Sequence, residues 1–336
     1  MSALQPPSPA GCRTYPLWHV WTGRRQPASS LSKYRYLDSR RSKSDRLLAN
    51  SATLTCLPVV SNAVPVMVTS MSFLGFENKT FVVLGVANRR SVAFAIGRVL
   101  EQEGARVIYA VRDAAVRDSV RPLLGEAPIL TCNVESEAEM EALAGELARI
   151  STPLHGLVHS IAFANFREGV QPFHLTRSAD FLQAVNISCF SLVALVKQLK
   201  PLFAPTASVV TISISTTRLA AENYGYMAPV KAALDSTVVF LAKSLSADTQ
   251  IRVNAVGAGL LKTSASAGIP GYVDAYLYAE RVIPRRRALA TDEVANVAAF
   301  LLSERSSGVN GQTIVTDAGM SMNFFDREIV RKVVGG

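Results

Sequence analysis

From residue 79 onward, short β-rich runs alternate with stretches of helical periodicity. Thr80 to Leu84, Arg106 to Ala110, Ile129 to Cys132, Gly156 to Ser160, Ser208 to Ile214, Ile251 to Val256 and Thr313 to Thr316 read as strands. Between them Val92, Ile96, Val99 and Leu100 recur at the spacing of one helical face. Met140, Leu143 and Leu147 mark a second such face, and Leu192, Leu195, Val196 and Leu199 a third. Val294, Val297, Ala298 and Leu301 follow a cap at Thr291. Near-continuous apolar strands separated by helices predict a parallel sheet covered on both faces and closed by right-handed crossovers. This is a doubly wound α/β domain, which takes its ligand at the carboxyl ends of the strands where their order reverses.

Residues 1 to 70 lack that pattern, and composition separates them further. The chain of 336 residues is 49% hydrophobic and 18% charged, enough to bury a sizeable core and unlike a disordered or fibrous protein. Its net charge of +9 sits mostly in residues 1 to 70, where nine Lys/Arg face only Asp38 and Asp45. The remainder, with 26 basic and 24 acidic residues, is +2, so no nucleic-acid partner is expected. Residues 1 to 70 are expected to form a disordered extension outside the fold. A targeting segment, an interaction tail and upstream sequence from a wrongly chosen start are the competing readings, and the last fits best. Met71-Ser-Phe-Leu-Gly-Phe-Glu-Asn-Lys-Thr80 reads as a chain start running into a first strand, which makes 71–336 a single domain.

No uninterrupted apolar run reaches the roughly 18 residues of a membrane span, so no membrane association is expected. Cys12, Cys56, Cys132 and Cys189 show no metal-ligand spacing, and no metal is expected. The two in the patterned region lie in apolar stretches as buried free thiols do, which suits a reducing, cytoplasmic setting.

The first strand-to-helix turn runs Gly85-Val-Ala87-Asn88-Arg-Arg-Ser91-Val92-Ala93. Gly85 permits a tight turn, Ala87 keeps the approach narrow, and a helix beginning near Ser91 offers N–H groups to a pyrophosphate. The three-glycine dinucleotide fingerprint is absent, so this turn alone leaves nucleotide binding and a structural role equally open.

The spacing from Gly85 to Ser91 resembles the dinucleotide loop of bacterial enoyl-acyl-carrier-protein reductases, a divergent branch of the short-chain dehydrogenase/reductase superfamily, whose domain is a Rossmann fold. Further matches follow in order: His159-Ser160-Ile161-Ala162-Phe163-Ala164, Tyr224-x6-Lys231, Arg252-Val-Asn254-Ala, and Asp317-Ala318-Gly319. The resemblance covers Met71 to about Phe325. It implies an NADH- or NADPH-dependent oxidoreductase of type II fatty-acid synthesis, acting on an enoyl thioester carried by acyl-carrier protein or CoA. A homotetramer and a helical lid over the substrate are also implied.

By this resemblance the catalytic residues are Tyr224 and Lys231. A separation of seven is nearly two helical turns, about 10 Å of rise, which would set both side chains on one face. The phenol would donate to the thioester oxygen as enolate charge develops, and the ammonium would stabilise that charge. Pro229 suits the first turn of a helix starting near Tyr226. Cofactor contacts are implied at Gly85, Ala87, Ser91 and Val92, at Arg112 after strand two and at Asn133 and Val134 after strand three. Others are Ser160, Ile161 and Ala162 after strand four, then Lys231, Leu261 and Thr263. Substrate contacts are implied at Phe163, Ala164 and Ile214 beside Tyr224. Arg112 favours a ribose 2′-phosphate and hence NADPH, with Asp113 beside it arguing the other way.

Three departures stand out. Ile214 occupies the position of a usual second Tyr, Ala162 that of a usual Gly, and the lid run Ile269-Pro-Gly-Tyr-Val-Asp-Ala-Tyr lacks the basic residues expected to face an acidic carrier protein. Arg281 and Arg285 to Arg287 are candidate substitutes. Asn186 stands where ordinary short-chain dehydrogenases place a catalytic Asn, which keeps a carbonyl reductase as the alternative. Ala318 in place of a usual Gly, together with Ile214, keeps a weakly catalytic nucleotide-binding paralogue as another. His159, at the end of an apolar strand, reads as structural or cofactor-lining, not as a catalytic base.

Overall fold

The computed structural model describes residues 72–335 except Val170, Glu222, Asn223, Ser264, Ala265 and Ala267. All lie in the unit Met67–Gly336. The extension expected over residues 1 to 70 falls outside the described residues.

Seven parallel strands form one sheet: β1 (Thr80–Leu84), β2 (Arg106–Val111), β3 (Ile129–Thr131), β4 (Leu154–His159), β5 (Phe203–Ile214), β6 (Arg252–Ala258) and β7 (Thr313–Thr316). Their order is β3-β2-β1-β4-β5-β6-β7, so the sequence order reverses between β1 and β4. The helices α1 (Val92–Gln102), α2 (Ala114–Leu124), α3 (Glu137–Ile150), α4 (Ser178–Val185), α5 (Ser191–Leu199), α6 (Met227–Leu245), α7 (Tyr272–Val282), α8 (Thr291–Leu302) and α9 (Arg327–Val334) complete the domain.

Alternation along the strands feeds two cores. Phe81 and Val83 of β1 meet Ile96, Leu100, Val294 and Leu301 on one face. Val82 and Leu84 meet Leu143, Leu192, Leu195 and Leu234 on the other. Each buried Leu or Ile is worth about 1.5–3 kcal/mol, so burial on both faces outweighs the weak local preference of such short strands.

The differences from the sequence expectations have local causes. β5 begins five residues early, at Phe203, because Pro205 and Thr206 are exposed and break the apolar run. Thr291 is the first helical residue of α8 and not its cap; Ala290 is, with the Glu293 carboxylate folded back onto the Ala290 N–H at 2.9 Å. The helix α4–α5 is continuous through a π-helical turn, Asn186–Phe190. An 18-residue window within its segment 178–202 has a mean hydropathy of 1.7 and meets the length and composition of a membrane span, which a search for uninterrupted apolar runs does not find. Half of that apolar window is buried within the fold, as in a core helix.

The Arg252/Asn254 pair is architectural. The Arg252 guanidinium, buried, donates to the carbonyls of Leu301 (3.1 Å), Ser303 (2.9 Å) and Ser306 (3.0 Å), placing a cation at the carboxyl end of α8. Asn254 donates to the Val309 carbonyl at 2.8 Å and accepts from the Gln312 N–H at 3.0 Å, which steers the chain into β7.

Candidate active site

The site is built where β1 and β4 end side by side. Gly85 has φ +104°, and a Cβ there would overlap the Ser160 carbonyl oxygen, so only glycine fits. The Ser160 N–H in turn donates to the Leu84 carbonyl at 3.2 Å. Ser91 is the N-cap of α1, yet its hydroxyl turns back to accept from the N–H groups of Ala87 (3.0 Å) and Asn88 (3.1 Å). That fixes the loop and leaves the helix N-terminus, with Val92 as its first residue, uncapped by a side chain. A glycine cradle opening on a helix N-terminus suits a pyrophosphate.

At the end of β2, Arg112 is exposed and its Nε donates to Asp113 Oδ2 at 2.8 Å. Asp113 Oδ1 caps α2 by accepting from the Val116 N–H at 2.8 Å. The helix N–H and the guanidinium hold this carboxyl below the usual range. Asp113 therefore orients Arg112, and its carboxylate is already engaged. Past β3, Val134 is buried, while Asn133 accepts from the Glu135 N–H at 3.2 Å and its own N–H donates to Glu139 at 2.8 Å.

Lys231 joins three elements. Its amine, on a side chain only 3% exposed, donates to the carbonyls of Ile212 (2.8 Å) on β5 and Ile161 (3.3 Å) after β4. Burial pulls its pKa down to about 8, with Cys189 and Asp235 opposing. Tyr224 does not share a helical face with it: α6 starts at Met227, and Tyr224 sits in the preceding turn, where Gly225 takes φ +56°. Pro229 then falls at the third helical position and breaks no helical bond. Burial, and Tyr272 nearby, raise the Tyr224 phenol, which stays protonated. Tyr224 and Ala164 pack on one apolar cluster with Phe166, Phe181, Met227 and Val230.

The segment after β4 is pinned from below. The Phe163 N–H donates to Ser188 Oγ at 2.9 Å, on the π-helical turn, and Asn165 N–H donates to Tyr226 Oη at 2.9 Å. Ala162 and Phe163 remain exposed and Ile161 half-buried. A π turn often marks a functional place in a helix. Here it aims Ser188, and Asn186 is its first residue. His159 is buried between Thr211 Oγ1 (2.9 Å) and Ser191 Oγ (2.8 Å). Burial, then the Lys231 charge, lower its pKa to about 3, so it is a neutral support beneath the site.

On the far wall, the Tyr272 hydroxyl accepts from the Leu261 N–H and donates to the Leu261 carbonyl, both at 2.9 Å. Thr263 N–H donates to Ser266 Oγ at 2.9 Å. Tyr272 opens α7, the helix at the expected lid, and its link to Leu261 has no signature in the sequence beyond the Gly271-Tyr272 pair. Arg285 and Arg287 pair with Glu293, and Arg286 pairs with Asp326 and Glu328. Those arginines are thus engaged within the fold. Ala318 takes φ +56°, the left-handed conformation that glycine usually fills. Asp317 steadies that turn, accepting from Gly319 N–H and Ser321 N–H at 2.9 Å each. Among the described residues, no group of three or more His, Cys, Asp or Glu could hold a metal.

A family profile described as Enoyl-(Acyl carrier protein) reductase matches residues 85–321. The chain is 37% identical to enoyl-acyl-carrier-protein reductase (NADH) of Bacillus subtilis strain 168, covering 72% of this chain and 96% of that one. It is 35% identical to the NADPH enzyme of Staphylococcus aureus strain MRSA252, covering 73% and 98%. Among solved structures, the Aquifex aeolicus VF5 enoyl-acyl-carrier-protein reductase (NADH) superposes with a TM-score of 0.72 at 29% identity, over 75% of this chain and 99% of that one. The Bacillus cereus enzyme with NADP+ and indole naphthyridinone gives 0.70 at 34%, over 74% and 98%. With the glycine cradle, the seven-stranded order and the ordered motifs all in place, this chain belongs to the enoyl-acyl-carrier-protein reductase family.

Proposed function

We propose that this protein reduces the trans-2 double bond of enoyl thioesters carried by acyl-carrier protein, using NADPH, in type II fatty-acid biosynthesis. The observation that carries the reading is Lys231: a buried amine at the carboxyl edge of the sheet, held between Ile161 and Ile212, with the protonated phenol of Tyr224 in the turn before its helix. When bound, the dinucleotide supplies the hydride for the β-carbon. Gly85, Ser91 and the start of α1 would cradle its pyrophosphate, Arg112 would meet its 2′-phosphate, and the segment from Ser160 to Ala162 would flank its nicotinamide. Tyr224 donates to the thioester oxygen as negative charge develops, and the Lys231 ammonium steadies the same charge. Leu261 and Thr263 close the cofactor side, while Phe163, Ala164 and Ile214 line the acyl side. Relatives named for NADH and for NADPH both occur, and the engaged carboxylate of Asp113 supports the phosphate-bearing cofactor.

Exposed apolar side chains on α6 (Val239, Phe240) and on the edge strand β7 (Val315) support a homotetramer, and the buried free thiols Cys132 and Cys189 support a cytoplasmic setting. The purified protein, offered crotonyl and acetoacetyl thioesters side by side with each reduced nicotinamide cofactor, should oxidise NADPH with the first. Oxidation with acetoacetyl thioester alone would establish the carbonyl-reducing alternative that Asn186 allows. Tight cofactor binding without turnover of either would establish the nucleotide-binding paralogue.

A further inference from the structure

Thr211 and Ser213 succeed one another at the two-residue period of β5, so their side chains lie on one face of the sheet, and Ser215 follows in the turn just past the strand's carboxyl end. The first rung is satisfied: Thr211 Oγ1 is bonded to the His159 ring at 2.9 Å. The two above it are not. Ser213 Oγ and Ser215 Oγ are buried and have no hydrogen-bond partner, and they are the only side-chain atoms so placed among the described residues. Ser213 is 1% exposed. A native fold leaves few such groups, and each calls for a reason.

Their position supplies one. They flank Ile214, the residue that stands where a phenol is expected and that cannot donate a hydrogen bond. The carbonyl of Ile212, bonded to Ser213, is the one that receives the Lys231 amine at 2.8 Å. Ser213 thus follows directly on the carbonyl that anchors Lys231, and Ser215 lies one residue past the end of the strand. A single χ1 rotation moves either oxygen to another staggered position, so neither is confined to the direction it takes in the free chain. We infer that Ser213 and Ser215 are substrate-binding residues whose hydroxyls donate to the thioester end of the substrate. The inference rests on the enoyl-thioester reading above.

Unpaired donors that wait for a ligand have an unusual consequence. Removing them relieves the free chain of a cost while weakening substrate binding, whereas removing a structural hydroxyl weakens the fold. Ser213→Ala, Ser215→Ala and the double variant are therefore compared with the wild type. The readouts are melting temperature of the free chain, Kd for NADPH, and KM and kcat for crotonyl thioester. The melting temperature should rise by about 2 °C per hydroxyl removed. KM should rise about tenfold per hydroxyl, with Kd for NADPH unchanged. A fall in melting temperature with KM unchanged would show the serines to be structural and overturn the inference. A rise in Kd for NADPH matching that in KM would assign them to the cofactor and overturn it equally. Wild-type turnover is measured first. No enoyl reduction by the wild type removes the parent reading, whereas wild-type turnover matched by the variants removes this inference alone.

Discussion

Replacing Lys231 by Met should make the free protein more stable and nearly inactive. Burial lowers the pKa of this lysine from 10.5 to about 8 in the folded chain. The unfolded chain therefore takes up the proton first as pH falls, and stability is lost between pH 10.5 and about 8 and stays lost below. At about 1.36 kcal/mol per pKa unit, the buried ammonium costs about 3 kcal/mol at neutral pH. The substitution also leaves the carbonyls of Ile161 and Ile212 without their donor, at about 1 kcal/mol each. The net gain is about 1 kcal/mol, a rise in melting temperature of about 2–4 °C. Turnover should fall on the order of 100-fold with loss of the charge that steadies the developing enolate. Thermal melting at neutral pH and initial rates with crotonyl thioester read both effects. In the wild type kcat/KM should decline as pH rises through about 8, and Lys231→Arg should move that limb to higher pH. A Met variant with unchanged kcat/KM, or an Arg variant with the limb in place, would refute the reasoning.

Tyr224→Phe should lower turnover on the order of 100-fold while cofactor affinity holds, since the lost bond is made chiefly to the transition state; rates and a cofactor titration test this. Arg112→Gln should raise the KM for NADPH and leave that for NADH unchanged, measured by steady-state kinetics with each cofactor. Asp113→Asn, which removes the charge that orients Arg112 and weakens the cap of α2, should raise the NADPH value less. Stability should decline as pH falls from 6.5 toward 3, by up to about 1.4 kcal/mol per pH unit, because His159 must enter unfolding neutral and charge afterwards. Denaturant melts across that range, repeated for His159→Gln, should show a shallower slope in the variant.

The strands were legible because burial on both faces writes them as apolar runs. β1 matches its expected bounds residue for residue, and so does β7, an edge strand that is not buried and was legible instead from its run of β-branched residues. Helix starts were less so. Ser91 looks like an ordinary cap, yet its hydroxyl serves the loop before it, and Thr291 looks like a cap while the fold uses Glu293 from inside the helix. Tyr224 and Lys231 came from the resemblance to the family's Tyr-x6-Lys pair, and the expectation that their side chains share one helical face does not hold: a left-handed Gly225 separates the turn from the helix, and no periodicity argument detects that. Tyr272 and the unpaired serines were hidden for a simpler reason. Their significance lies in what they touch or fail to touch in the folded chain: the Tyr272 hydroxyl bonds the Leu261 backbone, and the Ser213 hydroxyl is buried without a partner. The arginine run 285–287 carried charge in the sequence that the fold neutralises with Glu293, Asp326 and Glu328.

The central claim is that hydride goes to the β-carbon of an enoyl thioester. Purified protein is given NADPH carrying deuterium at the transferring position together with crotonyl thioester, and the product is read by mass spectrometry and proton NMR. Butyryl thioester with a single deuterium on the β-carbon is the expected product, formed by the wild type and at a greatly reduced rate by Tyr224→Phe. Crotonyl thioester recovered unreduced, with deuterium instead on the hydroxyl-bearing carbon when acetoacetyl thioester is supplied, would contradict the account.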